Sequence, residues 1–157
     1  MKYLLFCLMN LCFGGCSIPK LSMIRKDINS NLIKTQGFYY NRPEFQHFLL
    51  YNHGVILGDY SANSKNIDSV QNYWSNRELY KYNYDLAYSW GLFEIIKDSI
   101  RIEHWEAREW GVYRTTKYNG ILLNDSTLLL NHPVVGRDTF YFHYLPIKPD
   151  STNKFIK

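Results

Sequence analysis

Thiols and imidazoles are the side chains of this chain best suited to nucleophilic or metal chemistry, and their spacing decides which reactions are open to them. His47, His53, His104, His132 and His143 are dispersed through the 157 residues, with no HxH or HExxH spacing to gather two ligands on one element. The three cysteines, Cys7, Cys12 and Cys16, all fall within the first sixteen residues. Downstream of Cys16 no thiol remains for catalysis, a disulfide or a metal. No serine sits in Gly-x-Ser-x-Gly, and no glycine-rich loop of the phosphate-cradling kind occurs. Glu103 and Glu106 flank Trp105 as a carboxylate pair; the strand register derived below turns Glu103 outward beside Arg101, where it reads as surface charge pairing. The expectation is a protein with no catalytic centre, no metal and no cofactor.

Cys16 has a different chemistry open to it. Lys2 gives a positive start, Tyr3 to Phe13 form an apolar run, and Gly14-Gly15 directly precede the cysteine. The run is well short of the ~20 residues that cross a bilayer, so it reads as a signal peptide. Small residues before the cut let a peptidase approach an extended backbone. Phe13-Gly14-Gly15-Cys16-Ser17 resembles the lipobox of bacterial lipoproteins, with Phe13 where that family usually carries Leu. The resemblance implies lipidation of Cys16, which becomes the new N-terminus, and a membrane partner reached through that lipid. Ser17 in place of a retaining Asp implies the outer membrane, with the domain facing the periplasm. The expected organisation is residues 1–15 as signal peptide, 16–36 as lipidated N-terminus and tether, and 37–157 as one β-barrel domain. Ile24, Ile28 and Ile33 could alternatively form a short helix leading into the first strand.

The rest of the composition narrows the class. A hydrophobic share of 46% with 20% charged residues predicts a folded domain. A net charge of +4, spread without Lys/Arg runs, excludes nucleic acid as a partner. The aromatic share of 17%, including 14 Tyr, favours strands.

The elements read accordingly. Phe45–Asn52 and Val55–Tyr60 flank His53-Gly54 as a hairpin. In Trp90–Trp105 a tip at Lys97-Asp98 sets Ile95 opposite Ile100, Glu94 opposite Arg101, Phe93 opposite Ile102 and Trp90 opposite Trp105. Phe93, Ile95, Ile100 and Ile102 then share an inner face. Trp110–Leu123 and Thr127–Asn131 flank a turn at Asn124-Asp125-Ser126. In Thr139–Leu145, Phe140, Phe142 and Tyr144 alternate with Tyr141 and His143. Ser64–Tyr80, with Ile67, Val70 and Trp74 at helical spacing, is either a short helix capped near Ser64 or a long loop.

Sequential antiparallel hairpins predict an all-β fold, an up-and-down meander barrel, with a two-sheet sandwich as the alternative. Gly37-Phe38-Tyr39 resembles the Gly-x-Trp signature of the lipocalin group with Tyr for Trp. The Trp90-Gly91-x-Phe93 hairpin and the Asn124–Thr127 turn are similar to small lipocalin-like bacterial lipoproteins. That resemblance implies a barrel binding a small apolar or amphipathic ligand. The expected interior is Phe93, Ile95, Ile100, Ile102, Phe140, Phe142 and Tyr144, which either fill it or line a cavity. Trp90, Trp105, Trp110, Tyr113 and Tyr118 form the rival surface, a platform for a sugar or a partner protein in the envelope.

Overall fold

The computed structural model describes residues 18–29, 31–42, 44–59, 64–107, 112–132 and 136–157. Cys16 and Trp110 lie outside these residues. Eight antiparallel strands are described: β1 (Gly37–Asn41), β2 (His47–Leu50), β3 (Val55–Asp59), β4 (Trp90–Ile96), β5 (Ser99–Ala107), β6 (Tyr113–Asn124), β7 (Thr127–His132) and β8 (Gly136–Tyr144). Each pairs with the next, and β8 returns to β1 to close the barrel. The meander barrel is therefore the fold, and the sandwich is not.

Local chemistry sets each register. At the β2/β3 turn, Gly54 takes φ +77°, a conformation that side chains resist. The β4/β5 ladder pairs Ile95 with Ile100, Glu94 with Arg101 and Phe93 with Ile102, and it runs on to Gly91 opposite His104. The expected Trp90/Trp105 pair is absent from that ladder. Trp90 is opposite Leu57 of β3, and its indole N–H donates to the Tyr84 carbonyl at 2.8 Å. Gly37 lies so close to β8 that a Cβ would sit 2.1 Å from the His143 carbonyl oxygen.

One buried cluster draws a residue from every strand: Tyr39, Phe48, Ile56, Phe93, Ile100, Tyr118, Leu128 and Phe140 in chain order. It is the barrel interior. A second cluster, including Phe38, Leu49, Leu57, Trp90, Leu92 and Trp105, lies on the outer face of β1–β5. That face is covered by the segment between β3 and β4.

This segment forms two short helices, α1 (Ile67–Ser75) and α2 (Arg77–Tyr84), where one helix or a loop was expected. Asn66 caps α1, accepting from Ser69 N, in a reciprocal box completed by the Ser69 hydroxyl. Asn76 both ends α1 and caps α2 through Glu78 N. Asparagine in a helix interior weakens it, whereas at a boundary it satisfies the exposed N–H groups. Val70 and Trp74 point at the outer cluster.

Residues 18–36 are not a free tether, and none of the described ones is helical. They form a strap. The Pro19 carbonyl accepts from the Trp105 indole at 2.6 Å. Glu103 Oε2 then accepts from Ser22 N at 2.8 Å, the Ser22 hydroxyl at 3.1 Å and Met23 N at 2.6 Å. Ile28 N donates to the Asn52 carbonyl and Lys34 N to the Asp125 carbonyl. Ile33, 1% exposed, enters the interior cluster. Glu103 does face outward as expected, but it is 1% exposed beneath the strap and so is not surface charge; Lys117 Nζ lies 3.8 Å from its other oxygen.

Beyond β8 the chain returns along the same outer face. Lys148 Nζ donates to the Thr35 and Leu50 carbonyls, each at 2.5 Å, and lies 3.8 Å from the Tyr51 ring centroid. Burial holds its amine down at about 7. The Tyr51 hydroxyl donates to the Pro149 carbonyl, and Phe155 packs edge-on against Trp105.

Replacing Glu103 by Ala leaves the strap's backbone donors without their acceptor, at a cost of about 1–3 kcal/mol. Denaturant unfolding should report that loss, amide exchange should accelerate first at Ser22 and Met23, and Glu103→Gln, which keeps one acceptor oxygen, should lose less.

Candidate functional site

The ends of the barrel differ. At one end lie the β2/β3, β4/β5 and β6/β7 turns together with the strap, and this end is closed. Ile33 lies under the rings there, and the Tyr39 hydroxyl is 3.0 Å from the Lys34 carbonyl oxygen and 3.1 Å from that of Asp125. Burial, reinforced by the Asp125 charge, holds the Tyr39 phenol far above its ordinary range, so it stays neutral. Above it the rings interlock: Tyr39 to Phe48 at 5.7 Å, Phe48 to Phe140 at 5.1 Å and Tyr39 to Phe142 at 5.5 Å between centroids. Such contacts favour a rigid apolar floor.

Toward the other end the same strand faces become polar. Strand side chains repeat with period two, so His104 and Glu106 continue the inner row of Ile100 and Ile102 on β5. Arg114 and Thr116 precede Tyr118 on β6, Asp138 precedes Phe140 on β8, and Asn41 follows Tyr39 on β1. The ladder sets His104 opposite Thr116 and Glu106 opposite Arg114.

These side chains hold one another. Asn41, 1% exposed, donates from Nδ2 to Asp138 Oδ2 at 2.5 Å and accepts from Gln46 N at 2.8 Å. Arg114 donates from Nε to a Glu106 oxygen at 2.6 Å, and its Nη2 pairs with the same oxygen at 2.5 Å. Burial works to raise the Glu106 carboxyl, but hydrogen bonds from Arg114 and Thr116 and the Arg114 and His104 charges outweigh it, leaving the group below the usual carboxylate range. His104 Nδ1 lies 3.0 Å from the Trp105 carbonyl oxygen. A carbonyl only accepts, so Nδ1 carries a proton. The ring meets Tyr118 edge-on at 5.5 Å.

Phe93, Ile100, Ile102 and Phe140 are buried inside the barrel, and Ile95 and Phe142 pack partly buried against the same cluster. Tyr144 is not interior. It is 59% exposed at the last position of β8, opposite Gly37, which has no side chain to cover it. The surface platform of rings is also corrected: Trp90 and Trp105 are buried in the outer cluster, Tyr113 packs partly buried against it, and Tyr118 faces the interior. Sequence reasoning missed Asn41, His104, Thr116 and Asp138. The signal was the alternation itself, which continues through Ile100-x-Ile102-x-His104-x-Glu106 after the apolar residues end.

A groove of about 360 Å³ lies on α2 between Arg77, Tyr80, Lys81, Tyr84 and Asp85 and faces Asp150 of the C-terminal segment. Its two cations and two carboxylates balance. Among the described residues, no three His, Cys, Asp or Glu side chains converge as metal ligands. No protein-family model, curated protein or solved structure matches this chain.

The interior thus combines apolar rings toward one end with buried polar side chains toward the other. Because the Glu106 carboxyl is held low in the folded state, the stabilisation from its pair is present above the ordinary carboxylate range and disappears as pH falls through the lowered value. Arg114→Met should shift Glu106 titration to higher pH and weaken the fold more at pH 7 than at pH 4, as read by carboxyl NMR titration and by denaturation at the two pH values.

Proposed function

We propose that the chain is a membrane-anchored lipoprotein whose barrel binds a small amphipathic molecule, its apolar part on the ring floor and its polar group against the rim. The carrying observation is the change along one continuous interior face from Phe48, Phe93, Ile102 and Phe140 to Asn41, His104, Thr116 and Asp138. A barrel needing only a dry core gains nothing from buried polar side chains, each of which must be matched. Anchorage rests on the sequence alone: Lys2, the apolar run and Gly14-Gly15-Cys16. Two or three acyl chains, at about 0.8 kcal/mol per buried CH₂, hold a domain on a bilayer without help from its surface.

A second reading, a partner-docking module, draws on Ile96, Ile121 and Leu123. They are 46%, 38% and 52% exposed, on the outer faces of β4 and β6, and the ladders through Ser99 bring Ile96 and Ile121 into one row.

Titration with a fluorescent fatty acid should give saturable one-to-one binding that unlabelled fatty acid displaces. Leu130→Trp, which adds bulk directly opposite Asp138 on the neighbouring strand, should weaken it at least tenfold while circular dichroism stays that of the parent. Absence of saturable binding would remove the ligand reading. Separately, Cys16→Ala should release the domain from membranes or leave the precursor uncut.

A further inference from the structure

The groove on α2 differs from the barrel interior in that its side chains are accessible. Arg77, Lys81, Asp85 and Asp150 are exposed, and Tyr80 and Tyr84 are half-buried. At 3.6 residues per turn, positions 77, 80, 81, 84 and 85 fall on one face of the helix. Asp150 approaches that face from the C-terminal segment, where its carboxylate accepts from Thr152. Burial, and after it the Asp150 charge, holds the Tyr84 phenol above its ordinary range.

The floor of the groove is held from beneath. The Tyr80 and Tyr84 rings lie 6.2 Å apart between centroids, Tyr80 backed by Trp74 at 6.1 Å and Tyr84 by Trp90 at 5.1 Å. Both tryptophans are buried in the outer cluster. The Tyr84 hydroxyl donates to the Thr152 carbonyl, which ties the floor to the C-terminal segment.

Above this floor the charges are sorted by sign. Arg77 opens α2 and Lys81 follows one turn later, whereas Asp85 is its C-cap and Asp150 lies toward Tyr84 at that same end. At 1.5 Å per residue, Arg77 and Asp85 stand about 12 Å apart along the axis, and Lys81 and Asp85 about 6 Å. The ion pairs among the described residues lie elsewhere, at Lys34, Arg101, Arg114 and Lys117, and none joins the groove's cations to its carboxylates. Helix stability does not explain the order either. A carboxylate is favoured at a helix start and a cation at its end. Glu78 and Lys81 follow that rule, but Arg77 and Asp85, at the two extremes, reverse it.

We propose that the groove binds a short extended peptide with free termini, its carboxylate on Arg77 and Lys81, its amine on Asp85 and Asp150, and its middle side chain on the Tyr80 and Tyr84 rings. The separation of the charges selects the length. A single amino acid carries both charges on one residue, too close together to meet both ends. An extended chain gains about 3.3 Å per residue, so two or three residues span the distance between opposite charges. The 360 Å³ of the groove falls within the range of about 300–1,000 Å³ usual for small-molecule sites. A neutral ligand would leave all four charges unmet, and an anion would bring its charge against the two carboxylates. The site is distinct from the barrel interior, and it rests neither on a ligand there nor on Cys16.

The test titrates the full chain with the tripeptide Ala-Phe-Ala and follows the amide signals of α2 by NMR. Saturable shifts over residues 77–85 are expected, with affinity falling about threefold to fivefold on N-acetylation or on C-amidation, the loss typical of an exposed charge pair. Arg77→Gln should weaken the free tripeptide by a similar factor and leave the C-amidated one unchanged; Asp85→Asn should do the same for the N-acetylated one. Both side chains are exposed, so circular dichroism should stay that of the parent. No saturable shift on α2, or equal affinity for the free and the doubly blocked tripeptide, overturns the proposal. A variant that weakens free and blocked peptides alike overturns the assignment of the ends, and alanine binding as well as the tripeptide overturns the length. Shifts that vanish when fatty acid is added would place the peptide in the barrel and overturn the site.

Discussion

Everything in this molecule depends on the ladder between β8 and β1. It pairs five positions, from Gly37 opposite Tyr144 to Asn41 opposite Phe140, and without it the eight strands are an open meander with two unpaired edges. With it, each strand has one face inside and one outside, and the period-two alternation of every strand is committed at once. The approach is tight enough that position 37 admits no side chain. Closure therefore rests on a glycine at the first residue of the first strand.

Closure solves the interior but leaves a second problem outside. Phe38, Leu49, Leu57, Trp90 and Trp105 point away from the barrel, and an eight-stranded barrel alone cannot bury them. Three segments share the cover: the two helices, the C-terminal stretch and the strap. Each is too short to be stable alone, and each is pinned by a polar contact into the sheet. Trp90 holds the end of α2, Glu103 holds the strap, and Lys148 joins the strap, the end of β2 and the C-terminal stretch through two carbonyls and a ring. Burying a carboxylate and an amine is costly unless their hydrogen-bonding capacity is used. Both are used here to tie chain segments distant in sequence.

The barrel was legible because its signals are local. The Lys97-Asp98 hairpin follows from pairing chemically compatible neighbours, and that register recurs in the ladder from Phe93/Ile102 to Ile95/Ile100. The cover was less legible because its signals are tertiary. Residues 18–36 read as a tether, or as a short helix on Ile24, Ile28 and Ile33, because much of their hold on the barrel is through backbone groups, and Leu21 and Met23 are too sparse to form a pattern. The break at Asn76, which ends α1 and caps α2, is likewise set by a boundary that the spacing of Ile67, Val70 and Trp74 does not mark. The rim failed for a third reason. A reading that follows apolar residues stops where they stop, although the strand, and hence the inner face, continues through His104 and Glu106.

The asymmetry of the two ends then constrains what the interior can do. At the closed end the Lys34 and Asp125 carbonyls lie against the Tyr39 hydroxyl and Ile33 fills beneath it, so entry there requires breaking the strap's hold on the β6/β7 turn. At the opposite end Arg114 is 46% exposed and its pair with Glu106 straddles neighbouring strands without crossing the barrel. On the proposed reading, a molecule entering from that side would meet hydrogen-bonding groups first and apolar rings afterwards. For a purely apolar ligand that order is unfavourable, because the rim must be passed with nothing to exchange for its hydration. For an amphiphile it matches the molecule's own polarity, the head resting where water is displaced least and the tail where it is displaced most.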